Sequence, residues 1–348
     1  MSFAAFSLSA AASFAVASTL VLSARAHGRY TMDMGGGLQT FHSRPAPRIG
    51  GIAIYVALIL AWRISPDPEV ARMIAIILVA AVPVLATGLA EDLTRQVPVS
   101  ARLLAALASA ASACSLSAVA ISVVDIPLAD SLLAHPALAL AFTIFAVAGV
   151  TNSLNIIDGL HGLASGTAVI CILALATISA SVGDSALCLA SLTIAGAVAG
   201  FWLVNFPWGK LFLGDGGAYL VGFALAWLAV LLPTRNPGVS PWASLLVCAY
   251  PIIEVIYSMA RRRGSRRPAS HADRCHLHSL MAERILEPRL RQLDPALRNA
   301  LGSVPMWACA ALPAFAAVAL YAHTSWLAAG AAASLLLYHW LYRRVARI

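Results

Sequence analysis

Apolar stretches of about 17–25 residues recur along this chain, each long enough to cross a hydrocarbon core about 30 Å thick. They leave few architectures open. Lipid offers no partners to backbone N–H and C=O groups, so only helices or closed barrels span it. A barrel would read as segments of about ten residues with alternating polarity, and such segments are absent. The chain is 60% hydrophobic and 11% charged, against roughly 25% charged in a soluble domain, so it cannot cover itself with polar surface in water. The expected fold is all-α, a polytopic membrane helical bundle forming one domain over residues 1–348.

Eleven spans are expected, at 3–24, 49–62, 73–90, 103–122, 137–151, 166–182, 186–204, 217–234, 242–260, 304–322 and 325–342. The second and fifth are short, and no internal repeat is evident. Twenty of the 23 basic residues fall in loops on one side, and Arg63, Arg72 and Arg235 on the other. The positive-inside rule puts the crowded side in the cytoplasm, with the N-terminus outside and the C-terminus inside. The net charge of +8 then has a membrane explanation, and no nucleic-acid partner is expected. The first stretch has a rival reading as a cleaved leader, since Ala24-Arg25-Ala26 resembles a cleavage site, although no basic residue precedes the apolar run. Five of the six cysteines sit in apolar stretches and none forms a C-x-x-C pair, which suits buried reduced thiols.

The acids carry the functional signal, because a carboxylate in or beside a span is costly and needs a reason. Glu91 and Asp92, Asp158, Asp215 and Asp273 fall in loops after the third, fifth, seventh and ninth spans. Alternation puts these four loops on one face. Arg95, Arg102, Asn152, Asn155, Lys210, Arg274, His276 and His278 accompany them. Carboxylates interleaved with basic groups suit a divalent metal and a phosphorylated substrate, since Mg²⁺ favours one or two carboxylates completed by phosphate oxygens. Each loop also has a structural reading: a charged helix end at Glu91-Asp92, a glycine-rich turn at Asp215, a lipid anchor for Arg261 to Arg267. Asn152, Asn155 and Asp158 repeat every three residues and so share one helical face, which is harder to explain structurally. Glu254 lies inside the ninth span, and its role is open between structure and catalysis.

Together these motifs resemble the polyprenyl-phosphate N-acetylhexosamine-1-phosphate transferases. The resemblance runs from about residue 33 to 280. It rests on His42-Ser-Arg44-Pro-Ala-Pro47-Arg48-Ile-Gly50-Gly51, on Glu91-Asp92-Leu-Thr-Arg95, on Asn152 to Gly162, on Asn205-Phe-Pro207 with Lys210-Leu-Phe-Leu-Gly214-Asp215, and on Asp273-Arg274-Cys-His276-Leu-His278. Three positions depart from the family pattern. Glu91 stands where the acidic pair usually begins with Asp, His161 stands where Asp or Asn is more frequent, and the last loop lacks the extra histidines of the peptidoglycan branch.

The resemblance implies transfer of a sugar-1-phosphate from a UDP-sugar to undecaprenyl phosphate, with release of UMP, at the cytoplasmic face of a bacterial inner membrane. The product would initiate O-antigen, exopolysaccharide or another cell-envelope glycan. It implies Mg²⁺, or Mn²⁺, held by Asp215 with Asp158 or Asp92, and a catalytic set of Asp92, Glu91, Asp158 and Asp215. Asn152, Asn155, Arg48, Arg95, Arg102, Lys210, Arg274, His276 and His278 would bind substrate. Alternatives are the phospho-MurNAc-pentapeptide transferase reaction and, in another class, secondary transport of an anionic metabolite. A homodimer is compatible with the sequence, which does not specify oligomeric state.

Overall fold

The computed structural model describes residues 2–33, 45–264 and 275–348. His42, Arg44, Asp273 and Arg274, singled out above, lie outside the described residues. The chain runs through α1 (Ser2–Leu22), α2 (Ala24–Thr31), β1 (Met32–Asp33), β2 (Ala46–Pro47), α3 (Gly50–Ile64), α4 (Pro68–Ala80), α5 (Val82–Thr94) and α6 (Val99–Ser117). Then come α7 (Pro127–Leu133), α8 (Pro136–Ile156), α9 (Leu163–Ser181), α10 (Ser185–Asn205), α11 (Gly214–Arg235), α12 (Pro241–Val247) and α13 (Ala249–Gly264). The last elements are α14 (Leu277–Met281), a π-turn at Ala282–Leu286, α15 (Glu287–Arg289), α16 (Pro295–Leu301), α17 (Ser303–Leu320) and α18 (Thr324–Ala346).

Every expected span overlaps helix, although the fourth, 103–122, overruns the end of α6 at Ser117, and not all of them read as simple crossings. Among the described residues, seven helices are long and apolar enough to cross a membrane, or nine if two bent pairs each count as one span. The bends fall between α4 and α5 (46°) and between α12 and α13 (74°). Each lies just upstream of a proline, Pro83 and Pro251, whose ring collides with the carbonyl four residues back and whose nitrogen has no proton to donate. The helix α3 has 15 residues, about 22 Å at 1.5 Å per residue, and α18 carries His339, Arg343 and Arg344 near its end.

At the centre stands α11, an apolar helix that is buried on nearly all sides, including Trp227, Phe223 and Leu228. Its first turn is pressed against α5 and α3. A Cβ on Gly88 would meet the Gly216 Cα at 2.5 Å, and one on Gly51 would meet the Gly217 Cα at 2.6 Å. On the periphery, α1 docks on α10 through Gly196-Ala-Val-Ala-Gly200, a small-xxx-small pattern that lets helix backbones touch. Side chains at these glycines would run into the carbonyl oxygens of Phe6 and Ala10. The first helix is therefore packed as an integral part of the bundle.

Contacts sort the loops into two ends, as alternation of spans requires. At one end Arg235 pairs with Asp184 at 2.7 Å and with Glu69 at 2.8 Å, while Asp125 accepts hydrogen bonds from the Ser240 and Thr324 hydroxyls, each at 2.6 Å. These residues all belong to loops expected outside. At the other end the loop before α3 pairs with the loop before α11. Gly50 N–H donates to Phe212 O at 2.9 Å, and Phe212 N–H donates to Pro47 O at 2.8 Å. A small antiparallel ladder pairs Met32 with Pro47 and Asp33 with Ala46. This backbone stitching brings Asp33 and Arg48 to the first turn of α11.

Candidate active site

The site is built on that first turn. Its N–H groups have no partners within the helix, and the buried Asp92 carboxylate, near the end of α5, fills two of them. Asp92 Oδ1 accepts from Asp215 N–H at 2.8 Å and Oδ2 from Gly216 N–H at 2.9 Å. The fit needs Gly214, which has φ +73° and lies so close to Asp92 that an added Cβ would meet Oδ2 at 2.6 Å. L-residues with side chains rarely adopt that φ. The Asp215 side chain points away from its cap and pairs with Arg102, and with Arg48 at 3.5 Å.

Arg48 sits at the middle of the charges. One guanidinium nitrogen lies 3.5 Å from Asp33, and the other lies 3.5 Å from both Asp92 and Asp215. Burial works against its charge, but Asp92, Asp215, Asp33 and Asp158 more than offset this and raise its pKa above the ordinary value. Asp158 occupies the turn after α8. Burial, and then the neighbouring Asp215, push its carboxyl up to about 7, with Arg48 pulling the other way.

The histidine loop closes over the same turn. A Cβ on Gly159 would meet the His278 Nε2 at 2.6 Å, so this imidazole lies directly on the backbone next to Asp158. His276 and His278 stack with ring centres 5.5 Å apart and planes 7° from parallel. Burial lowers the His278 pKa to about 4, against the pull of Glu254, which keeps this ring neutral near pH 7. Tyr342 on α18 holds the loop by donating to Cys275 O at 3.1 Å.

Of the residues singled out from sequence, Asp92, Asp158, Asp215, Arg48 and Arg102 come together, with His276 and His278 alongside. Asn152 and Asn155 lie half-buried near the end of α8, leading into the Asp158 turn. Glu91 has a more local setting, accepting the Val97 N–H at 2.8 Å and so shaping the turn after α5. Arg95 reaches Asp33 at 3.1 Å rather than the three central acids, and Lys210 is exposed. His161 is buried as a hub. Its N–H donates to Asn299 at 2.7 Å, its carbonyl accepts from Ser303 at 2.8 Å, and its ring stacks on Phe212. Asp33 escaped sequence reasoning. It is an isolated acid, and only the β1–β2 pairing sets it beside two arginines.

Among the described residues, no group of three or more His, Cys, Asp or Glu side chains is arranged to hold a metal ion. Of the carboxylates expected from sequence to hold a metal, Asp215 with Asp158 or Asp92, Asp92 has both oxygens engaged by the α11 N–H groups. Asp158 and Asp215 are the other two, mutually repelling carboxylates, with Asp215 paired to Arg48 and Arg102. That donor set fits Mg²⁺, which takes one or two carboxylates and fills its octahedron with phosphate oxygens and water.

The family model for glycosyl transferase family 4 matches residues 74–233, a segment that contains Asp92, Asp158 and Asp215. Over that segment the chain is similar to this family. Among curated relatives, it is 27% identical over 241 residues to a probable undecaprenyl-phosphate N-acetylglucosaminyl 1-phosphate transferase of Bacillus subtilis (strain 168), covering 68% of this chain and 66% of the relative. It is 26% identical over 244 residues to the undecaprenyl-phosphate alpha-N-acetylglucosaminyl 1-phosphate transferase of Thermotoga maritima, covering 70% of each. Against the decaprenyl-phosphate N-acetylglucosaminephosphotransferase of Mycobacterium tuberculosis (strain ATCC 25618 / H37Rv), it is 27% identical over 295 residues, covering 76% of this chain and 70% of the relative. The chain thus spans about two thirds of the length of the relatives it matches.

Proposed function

We propose that this protein transfers N-acetylhexosamine-1-phosphate, with N-acetylglucosamine the first candidate sugar, from its UDP donor to undecaprenyl phosphate. The reading is carried by one observation: Asp158, Asp215, Arg48 and Arg102 meet at the amino end of α11, with two stacked histidines against the Asp158 turn. In this reaction an oxygen of the lipid phosphate forms a bond to the sugar-bearing phosphorus. The bond from that phosphorus to the UMP oxygen breaks, and UMP leaves with the electron pair. The nucleophile is a phosphate monoester whose second pKa lies near about 6, so it is already largely ionised at neutral pH and needs no general base. The residues have the task of bringing two anions together and stabilising charge at the transferring phosphorus.

Arg48 and Arg102 receive the acceptor phosphate, exchanging their present carboxylate partners for phosphate oxygens with the planar fork that suits bidentate contact. His276 and His278 hold the donor diphosphate, with Arg274 beside them in sequence. Asn152 and Asn155 line the approach to Asp158. Asp158 and Asp215 would hold Mg²⁺, which would supply Lewis-acid polarisation of the diphosphate. The excess of basic residues on the loops of this end supports a cytoplasmic site with the N-terminus outside, and eleven crossings, in a bacterial inner membrane. The lipid product would feed O-antigen, exopolysaccharide or another envelope glycan.

The test is UMP release by purified protein in detergent, given Mg²⁺, undecaprenyl phosphate and a panel of UDP-N-acetylhexosamines. Lipid-dependent release with one donor, abolished by EDTA and restored by Mg²⁺, is the expected result. A folded protein silent across the panel would overturn the reading.

A further inference from the structure

The buried Glu254 on α13 has no role in the reaction as described so far. Its side chain is 1% exposed, yet it sits within an apolar helix. Oε1 accepts two hydrogen bonds from the start of the histidine loop, one from His276 Nδ1 at 3.0 Å and one from Leu277 N–H at 3.2 Å. The phenol of Tyr338, on α18, stands beside it. Stability alone is a poor reason for such a pair, since well-packed apolar residues in place of a buried ion pair are often neutral or stabilising.

The contact has a chemical consequence. An ionised carboxylate can only accept, so the His276 proton facing it resides on Nδ1. In the uncharged ring this contact selects the tautomer whose Nε2 carries no proton, and the ring plane is held by a residue anchored in α13. That ring in turn stacks on His278, which lies on the backbone of Gly159 beside Asp158. A continuous line of contact thus runs from Glu254 to the acidic turn.

We infer that Glu254 is a positioning residue for the transfer reaction: it fixes the tautomer and orientation of His276 and, through the ring stack, the seat of His278. The inference rests on the reading that these histidines bind the donor diphosphate. Glu254 does not touch the substrate itself. Outer residues that orient a histidine in this way, as in metal sites, are typically worth about 10–100-fold in affinity or activity.

The decisive experiment compares wild type, E254Q, E254A, H276A and the E254A/H276A double variant, purified in detergent and checked for monodisperse elution. UMP release from UDP-N-acetylglucosamine is followed to obtain kcat and the donor KM. Loss of about 10–100-fold in kcat/KM is expected for E254A, with the double variant no worse than H276A. E254Q should recover most of that loss, because its amide oxygen accepts both hydrogen bonds. Wild-type activity in E254A, or a double variant whose losses multiply, would overturn the inference. Loss in H276A with none in E254A sinks this inference alone, whereas full activity in H276A removes the assigned role of the histidine itself. Should E254A fail to fold, long-range ¹H–¹⁵N spectra of ¹⁵N-histidine-labelled wild type decide the matter. A proton on His276 Nδ1 supports the assignment, and one on Nε2 alone refutes it.

Discussion

Asp92 and Asp215 meet through backbone rather than side chain: the Asp92 carboxylate accepts the Asp215 N–H at 2.8 Å, leaving the Asp215 carboxylate to face Arg48 and Arg102. Two acids 123 positions apart therefore divide the work. One builds the amino end of α11, and the other is presented by it.

This division separates two substitutions that look alike in sequence. Asp92→Asn sets an amide NH₂ against a helix N–H, because in the wild type both carboxyl oxygens accept from the first turn of α11. It should cost about 2 kcal/mol of stability and lower the thermal midpoint together with activity. Asp215→Asn keeps the cap, so its melting temperature should shift less, while UMP release falls on the order of a hundredfold or more. Equal thermal shifts in the two variants, or full activity in Asp215→Asn, would contradict the assignment.

Asp158 makes the metal-free protein pH-sensitive. Burial and Asp215 push its pKa to about 7, above the usual carboxylate range. The folded state therefore binds more protons than the unfolded one between roughly pH 4 and 7. Its contribution is favourable below that window and is lost as pH rises through it. Stability in EDTA should decline over the window more steeply in wild type than in Asp158→Asn, and Mg²⁺ should raise the wild-type melting temperature at pH 7.5. Parallel pH profiles in the two proteins would sink the argument.

Arg48 bridges Asp33 with one nitrogen and both Asp92 and Asp215 with the other. A lysine ammonium is a point charge without that fork. Arg48→Lys should therefore lower kcat/KM by at least about tenfold, roughly 1.4 kcal/mol, despite an unchanged net charge. Steady-state kinetics with varied undecaprenyl phosphate would measure this, and unaltered values would remove Arg48 from the acceptor site.

The docking of α1 is open to a direct check. A side chain at Gly200 collides with the Ala10 carbonyl, and overpacking of this kind costs about 1–3 kcal/mol. Gly200→Val should lower the melting temperature in detergent. An unchanged midpoint would mean that α1 does not hold the bundle.

How much of this was readable in advance depended on the range of the interaction concerned. Hydrophobic length located the long apolar helices but not short ones such as α2, α7 and α16, since spanning a bilayer is a demand each long segment meets alone. The spacing of Asn152, Asn155 and Asp158 marked a polar face because helical periodicity is local. The bends at Ala81 and Cys248 were missed, though Pro83 and Pro251 carried the signal. Asp33 and the Glu254–His276 contact had no local signal, because their partners lie 15 or more positions away and on other elements.

The sequence by itself pointed to a membrane helical bundle and to the shared end at which Asp92, Asp158 and Asp215 meet, because hydropathy and alternation depend only on order along the chain. Only the tertiary structure decided what each acid does. Asp92 became a cap because Gly88 and Gly216 let α5 and α11 touch, Asp215 became the partner of two arginines, and Glu254 became the support of a histidine. A carboxylate's role is set by the N–H groups and cations that packing brings to it, and those come from elsewhere in the chain.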